Sequence, residues 1–242
     1  MDYEGLLELV KNRRSVRRFK TDPIPDEYVE KIIKVACWAP SGFNLQPWEF
    51  FVVKKKELKD SIVRAITDYS RAHYPGIELE REAWQGDKWQ PSPGGEQTDY
   101  RNAPVFIILF GDTRTKAGLP MLIRFSPHER DSIFNSSLAN TFLYMHLAAT
   151  TLGLVSQWVS DVQVPLVHYQ LKNLLGIPDE LEVYDMMAVG YSATKPRPKL
   201  MRDKEKMVHY DSRGKKDFRT DEEVNDFTRR TRVWTIATIR RG

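Results

Sequence analysis

The sequence predicts an α+β, or layered α/β, fold in which helices flank a mixed central sheet. Apolar residues recur at helical spacing over residues 26–39, and the residues at 48–53 that follow are aromatic and β-branched, as in a strand. Residues 105–110 form an apolar run that is typical of a buried central strand. Residues 131–152 are apolar on nearly every side, which indicates a buried helix. Helices that alternate with strands in this way predict a layered domain.

The remaining elements follow from local patterns. We predict helices over 4–11, 55–70 and 165–175, and strands over 154–159, 184–189 and 233–239. All of them belong to one domain over residues 1–242. An excursion at about 74–102 lacks a clean period and is interpreted as an active-site lid, in which Trp84, Trp89 and Tyr100 fit either lid aromatics or local packing. A C-terminal arm at about 211–242 is expected to add its strand to the sheet of a partner subunit.

Composition and charge favour a soluble globular protein. The 242 residues are 41% hydrophobic and 29% charged, with a formal net charge of +4 and a single cysteine. Basic and acidic residues are interleaved, so we expect no nucleic-acid partner. The apolar runs are too short to span a bilayer, so we expect no membrane. The histidines form neither HxxxH nor HExxH, so no metal site is expected. A lone cysteine and the lack of a signal sequence predict a cytoplasmic protein.

A basic cluster, NRRSVRRF at 12–19, is the first motif that can carry chemistry. The side chains of Arg13, Arg14 and Arg17 can converge on one phosphate, because the planar guanidinium gives paired hydrogen bonds to phosphate oxygens. The alternative is the solvated basic end of a helix, which the helix dipole favours.

A loop bracketed by prolines, APSGFNLQPW at 39–48, is the second motif. It presents small polar groups and backbone amides beside two aromatic residues, and such a loop can hydrogen-bond the edge of a flat heteroaromatic ring. The alternative is an ordinary connection between a helix and a strand. The density of turn-forming residues favours the functional interpretation.

The two motifs together resemble the nitroreductase family. An RRSxR cluster, an amphipathic helix and then APSGxNxQPW leading into a strand occur in the family's order, and LAATTLGLVSQWVSD and MMAVGY resemble later landmarks. The resemblance covers about residues 5–210. It implies a homodimer with FMN at the interface. It also implies ping-pong transfer of electrons from NAD(P)H through FMN to a small acceptor such as a nitroaromatic, quinone or enone.

The resemblance also implies roles for individual residues. The FMN-binding cluster is matched by Arg13, Arg14, Ser15 and Arg17. Of these, Arg17 matches the family position near the flavin O2, where a cation stabilises the anionic reduced flavin. The loop that reaches FMN from the other subunit is matched by Pro40, Ser41, Gly42 and Asn44. The backbone contact to flavin N5 is matched by Ser160 and Asp161, and the C-terminal phosphate contact by Lys199 and Arg202. No side chain is expected to act as a catalytic acid or base.

This chain departs from the family pattern at two places. The turn GLVSQW lacks the second glycine that is common in the family, and Ser160-Asp161 stand where many members have Glu-Gly or Gly-Gly. Other functions stay open on the same scaffold: reductive dehalogenation, since deiodinase-type relatives also carry RRSVR and APSG, and flavin destruction to make a cobalamin base. A basic binding module without flavin is the alternative of a different class.

Overall fold

Four strands form the sheet in the computed structural model, which describes residues 2–79, 98–196, 199–211 and 218–240. They are β1 (Trp48–Val53), β2 (Val105–Asp112), β3 (Val155–Val159) and β4 (Leu181–Gly190), in the order β1-β2-β4-β3. All four were predicted within a few residues. The expected mixed sheet is corrected, because these strands pair antiparallel. Connections that leave and re-enter the sheet at the same end produce antiparallel neighbours. A parallel bridge joins Ser15 to Ser156.

The described helices are α1 (Tyr3–Asn12), α2 (Asp26–Ala36), α3 (Lys56–Leu79), α4 (Met121–Arg124), α5 (Pro127–Thr151), α6 (Pro165–Leu175) and α7 (Asp221–Arg240). Pro127 begins α5 at a first-turn position, where its missing N–H costs nothing. Gly176 ends α6 in the left-handed conformation that glycine adopts without strain. None of these helices combines the length and the apolar composition needed to cross a bilayer.

The core has two halves, one on each face of the sheet. Ile107 and Leu109 face a cluster that includes side chains of α2 and α5, such as Ile32. Phe106 and Ile108, which alternate with them, face a cluster built with α3 and α6. This alternation follows from the two-residue repeat of a strand. Both faces of β2 are therefore covered, which explains its continuous apolar run.

The prediction of a C-terminal strand at 233–239 is wrong, because these residues continue the helix α7. Hydrogen bonds at the start of α7 explain the difference. The Thr220 hydroxyl accepts a bond from the Glu223 N–H at 3.3 Å, and the Glu223 carboxylate accepts one from the Thr220 N–H at 3.1 Å. This reciprocal capping box initiates a helix, which then extends through the β-prone residues.

The predicted excursion at 74–102 is described only in part. The helix α3 continues to Leu79, nine residues beyond the predicted end, and Thr98–Asn102 form a 3-10 turn. Tyr100 is buried and packs against Phe106, which agrees with the packing alternative. Trp84 and Trp89 lie outside the described residues, so the lid stays a prediction. The single domain over 1–242 also stays a prediction.

Candidate functional site

The basic cluster begins where α1 ends. The Arg13 N–H donates to the Leu9 carbonyl at 3.0 Å and closes the last turn. The chain then runs beside β3, where the Val16 N–H donates to the Ser156 carbonyl at 3.0 Å. Val16 and Phe19 are buried and anchor the segment to the core. The sheet edge thus holds the backbone of the arginine-rich segment in place.

The arginines of this cluster are held without acidic partners. Burial lowers the pKa of Arg17, and burial together with the neighbouring charge of Arg14 lowers that of Arg13. Arg14 donates to the Arg13 carbonyl at 2.9 Å. Within the described residues, none of the three pairs with a carboxylate. Partly buried cations without counter-ions are unfavourable, so the cluster fits an anionic ligand such as a phosphate.

The proline-bracketed loop has an unusual backbone. Phe43, Asn44 and Gln46 all adopt positive φ angles, of 54°, 53° and 46°. The Gln46 N–H donates to the Ser41 hydroxyl at 3.1 Å, and the Gln46 side-chain amide donates to the Asn44 side-chain oxygen at 3.0 Å. Left-handed conformations cost energy for residues other than glycine and concentrate at functional sites. The loop is a fixed structure that presents polar groups.

Contacts with α5 hold this loop. The Gly42 N–H donates to the Ser137 hydroxyl at 3.1 Å, and the Asn140 amide donates to the Pro40 carbonyl at 3.1 Å. A Cβ at Gly42 would lie 2.3 Å from Cγ2 of Ile133. Only glycine permits so close an approach of the loop to the helix.

The predicted site residues fall into separate groups within one chain. The loop docks on α5 at Ser137, whereas the arginine-rich segment lies beside Ser156, which contacts α5 at His146. Nine residues of helix correspond to about 14 Å along the axis. Lys199 is exposed and Arg202 half-buried in the segment after β4. The loop and the cluster are therefore anchored at two different levels of α5 within one chain.

Ser160 and Asp161 follow directly on β3. Ser160 is exposed and precedes a 3-10 turn over Asp161–Gln163. The Gln163 N–H donates to the Ser160 carbonyl at 3.0 Å, and the Val164 N–H donates to the Asp161 carbonyl at 3.3 Å. The turn presents Ser160 at the opposite end of β3 from Ser156.

Two buried polar side chains beside β3 were not predicted as site residues. His146 is 3% exposed, and its Nδ1 lies 2.6 Å from the Ser156 hydroxyl. Burial, with a smaller contribution from Arg13, lowers its pKa to about 3, so the imidazole is neutral. Asp185 is 1% exposed and accepts a bond from the Trp158 indole at 2.6 Å. No sequence pattern marks these contacts, because they join distant segments.

These features agree with comparisons to known proteins. A model described as the Nitroreductase family matches residues 10–191. The chain belongs to the nitroreductase family. The motifs at 12–19 and 39–48 both lie within the matched range, which confirms the resemblance and the α+β fold expected from the sequence.

The chain is similar to proteins described as iodotyrosine deiodinases and as an FMN-dependent nitroreductase. The chain is 29% identical over 210 residues to an iodotyrosine deiodinase of Thermotoga neapolitana, which covers 86% of this chain and 98% of the relative. It is 27% identical, with a TM-score of 0.65, to an oxidised iodotyrosine deiodinase solved with FMN and 3-iodo-L-tyrosine, covering 86% and 99%. An FMN-dependent nitroreductase of Clostridium difficile R20291 shares the fold at 22% identity and a TM-score of 0.61, covering 85% and 99%.

Proposed function

We propose that this nitroreductase-family protein is an FMN-dependent oxidoreductase that takes electrons from NAD(P)H and reduces a small oxidised acceptor. One observation carries the proposal: Arg13 and Arg17 are partly buried beside β3, and neither pairs with a carboxylate among the described residues. An FMN phosphate and an anionic reduced flavin supply the negative charge that such a cluster lacks.

Each group of residues has a part in this proposal. Arg13, Arg14 and Ser15 bind the phosphate and ribityl chain, assisted by Lys199 and Arg202. Arg17 lies at the pyrimidine edge of the flavin, where its positive charge favours the reduced anion. The backbone at Ser160 and Asp161 contacts flavin N5. Bound FMN supplies the hydride and electron-transfer chemistry, so the protein needs no nucleophile of its own.

The proposed site is shared between two subunits. The loop with Pro40, Ser41, Gly42 and Asn44 docks on α5 at Ser137, about 14 Å along the helix from the level of His146. A homodimer resolves this separation, because the loop of one subunit reaches the arginine cluster of the other. Exposed apolar side chains on the same region, including Trp38 and Leu143, suit burial in such an interface.

Reductive dehalogenation is a second candidate for the acceptor reaction. It is favoured by the likeness to iodotyrosine deiodinases, which extends over 86% of this chain. In this reaction the carbon–halogen bond of a halophenol breaks, the carbon gains a proton, and halide leaves. The two electrons come from the reductant by way of FMN.

The test begins with the flavin. The purified protein is expected to be yellow, and denaturation should release FMN; a protein that holds no flavin after reconstitution would support the binding-module alternative instead. The flavoprotein is then reduced anaerobically with NADH or NADPH and mixed with nitroaromatics, quinones, enones and halophenols. Reoxidation by the first three classes supports the main proposal, and stoichiometric halide release identifies a dehalogenase.

A further inference from the structure

The carboxyl group of Asp185 occupies an unusual place in the sheet. Leu109 of β2 lies opposite Asp185, and Phe110 lies opposite Val183, so Tyr184 is an extra residue in β4. Such a bulge changes the direction of neighbouring side chains and is frequent beside active sites. Asp185, next to this bulge, accepts the indole N–H of Trp158 on the adjacent strand. A buried carboxyl at this point is costly and requires an explanation.

Asp185 connects two points that bracket the turn after β3. The Trp158 indole, two residues before Ser160, donates to Oδ2 of Asp185 at 2.6 Å. The Gln163 side chain, three residues after Ser160, lies close enough to the same carboxyl to lower its pKa. Oδ1 has no hydrogen-bond partner among the described residues, so the bond from Trp158 to Oδ2 is the one that holds this carboxyl there. The segment between the two contacts is Ser160–Asp161.

We propose that Asp185 is a positioning residue that fixes the backbone of Ser160 and Asp161 for contact with flavin N5, chiefly through its hydrogen bond from Trp158. This inference rests on the proposed function. Asp185 itself does not touch the flavin. Its effect is on the geometry of hydride transfer, because a small misplacement of a positioned group can reduce a rate about a hundredfold.

The test compares three variants of the FMN-loaded protein. Asp185→Leu removes the acceptor, whereas Asp185→Asn keeps an oxygen for Trp158. Glu182→Gln removes an exposed carboxylate from the same strand and is the matched control. Three properties are measured for each protein: the affinity for FMN, the midpoint potential of the bound flavin and the single-turnover rate constant for its reduction by NAD(P)H. Thermal stability is recorded for each protein.

We expect Asp185→Leu to bind FMN within about threefold of the wild type, because the phosphate contacts are remote, but to lose about tenfold or more in the rate constant of flavin reduction. Its midpoint potential should also differ from that of the wild type. Asp185→Asn and Glu182→Gln should retain both properties. Trp158→Phe breaks the same bond from a partly exposed position and provides a second test if the leucine variant does not fold.

The inference is overturned if Asp185→Leu, or Trp158→Phe in its place, keeps the potential and rate constant of the wild type and differs only in thermal stability. That result would leave Asp185 a structural residue. A wild-type protein that binds no FMN would instead reject the proposed function, so the two failures are distinguishable.

Discussion

Replacement of Asp185 by asparagine should stabilise the protein, and the gain should increase with pH. Burial raises the pKa of this carboxyl from 3.8 to about 7, although the bond from Trp158 lowers it in part. Asparagine cannot ionise, and its side-chain oxygen can still accept the Trp158 bond. The variant therefore avoids the cost of a buried charge and keeps the local contact.

The size of the effect follows from the shift in pKa. About three pKa units at about 1.4 kcal/mol each correspond to about 4 kcal/mol of unfavourable free energy once Asp185 is ionised. The folded protein binds more protons than the unfolded chain between about pH 4 and pH 7, so this contribution lowers the free energy of unfolding as pH rises through that window. Between pH 5 and pH 8 the wild type should lose roughly 2–3 kcal/mol relative to the variant.

The difference in the free energy of unfolding between the two proteins is measured by urea unfolding at pH 5 and pH 8. Tryptophan fluorescence reports unfolding, and FMN is present in saturating amounts. Glu182→Gln serves as the control, because the carboxylate it removes is exposed. The control should follow the wild type at both pH values. If the gap between Asp185→Asn and the wild type is the same at pH 5 and pH 8, the carboxyl does not titrate in this window and the argument from burial is wrong.

Three further predictions concern the loop and the arginines. Gly42→Ala should weaken FMN binding and cost about 1–3 kcal/mol of stability through the clash with Ile133; Ile133→Ala in the same chain should restore both, and failure to do so would contradict the assigned contact. Arg13→Ala should weaken FMN by about 1.5–3 kcal/mol, measured by fluorescence titration, whereas the exposed Arg64→Ala should not. Arg17→Met should lower the flavin midpoint potential and slow reduction; an unchanged potential in a flavin-bound variant rejects its position at O2.

Local patterns predicted most of the fold. The helices at 26–39 and 165–175 and the four strands of the sheet were found close to their predicted bounds, because apolar spacing and turn residues are local signals. The expected mixed sheet was wrong, because the relative direction of neighbouring strands is not a local property. Strand direction depends on where each connection re-enters the sheet, and no short window of sequence contains that information.

The C-terminal helix shows how a local signal can be given too little weight. The run VWTIATI is β-prone, but it follows T-D-E-E at 220–223, which is a capping-box pattern. The structure contains both reciprocal bonds of that box. A helix that begins there continues through β-branched residues, since their lower helix propensity costs only a few tenths of a kcal/mol each.

The candidate site was predictable only where it is contiguous in sequence. The arginines at 13–17 and the loop at 40–44 stand out as motifs, and the family resemblance gave them roles. Asp185, Trp158 and His146 come from three different elements, and their contacts depend on strand register and on one bulge. His146 is buried, and only its Nδ1 has a hydrogen-bond partner within the described residues.

These unpredicted contacts all involve β3, which lies at the edge of the sheet, pairs with β4 and has an isolated bridge from Ser156 to Ser15 on its other side. An edge strand has half the ladder bonds of a central one. Ser156 contacts His146 near its start, and Trp158 contacts Asp185 near its end. The Trp158 ring also stacks on His146, with the centroids 5.7 Å apart and the planes 15° from parallel. One side chain therefore joins the polar contacts at both ends of β3, and the arginine-rich segment and the Ser160 turn are fixed relative to each other through that strand.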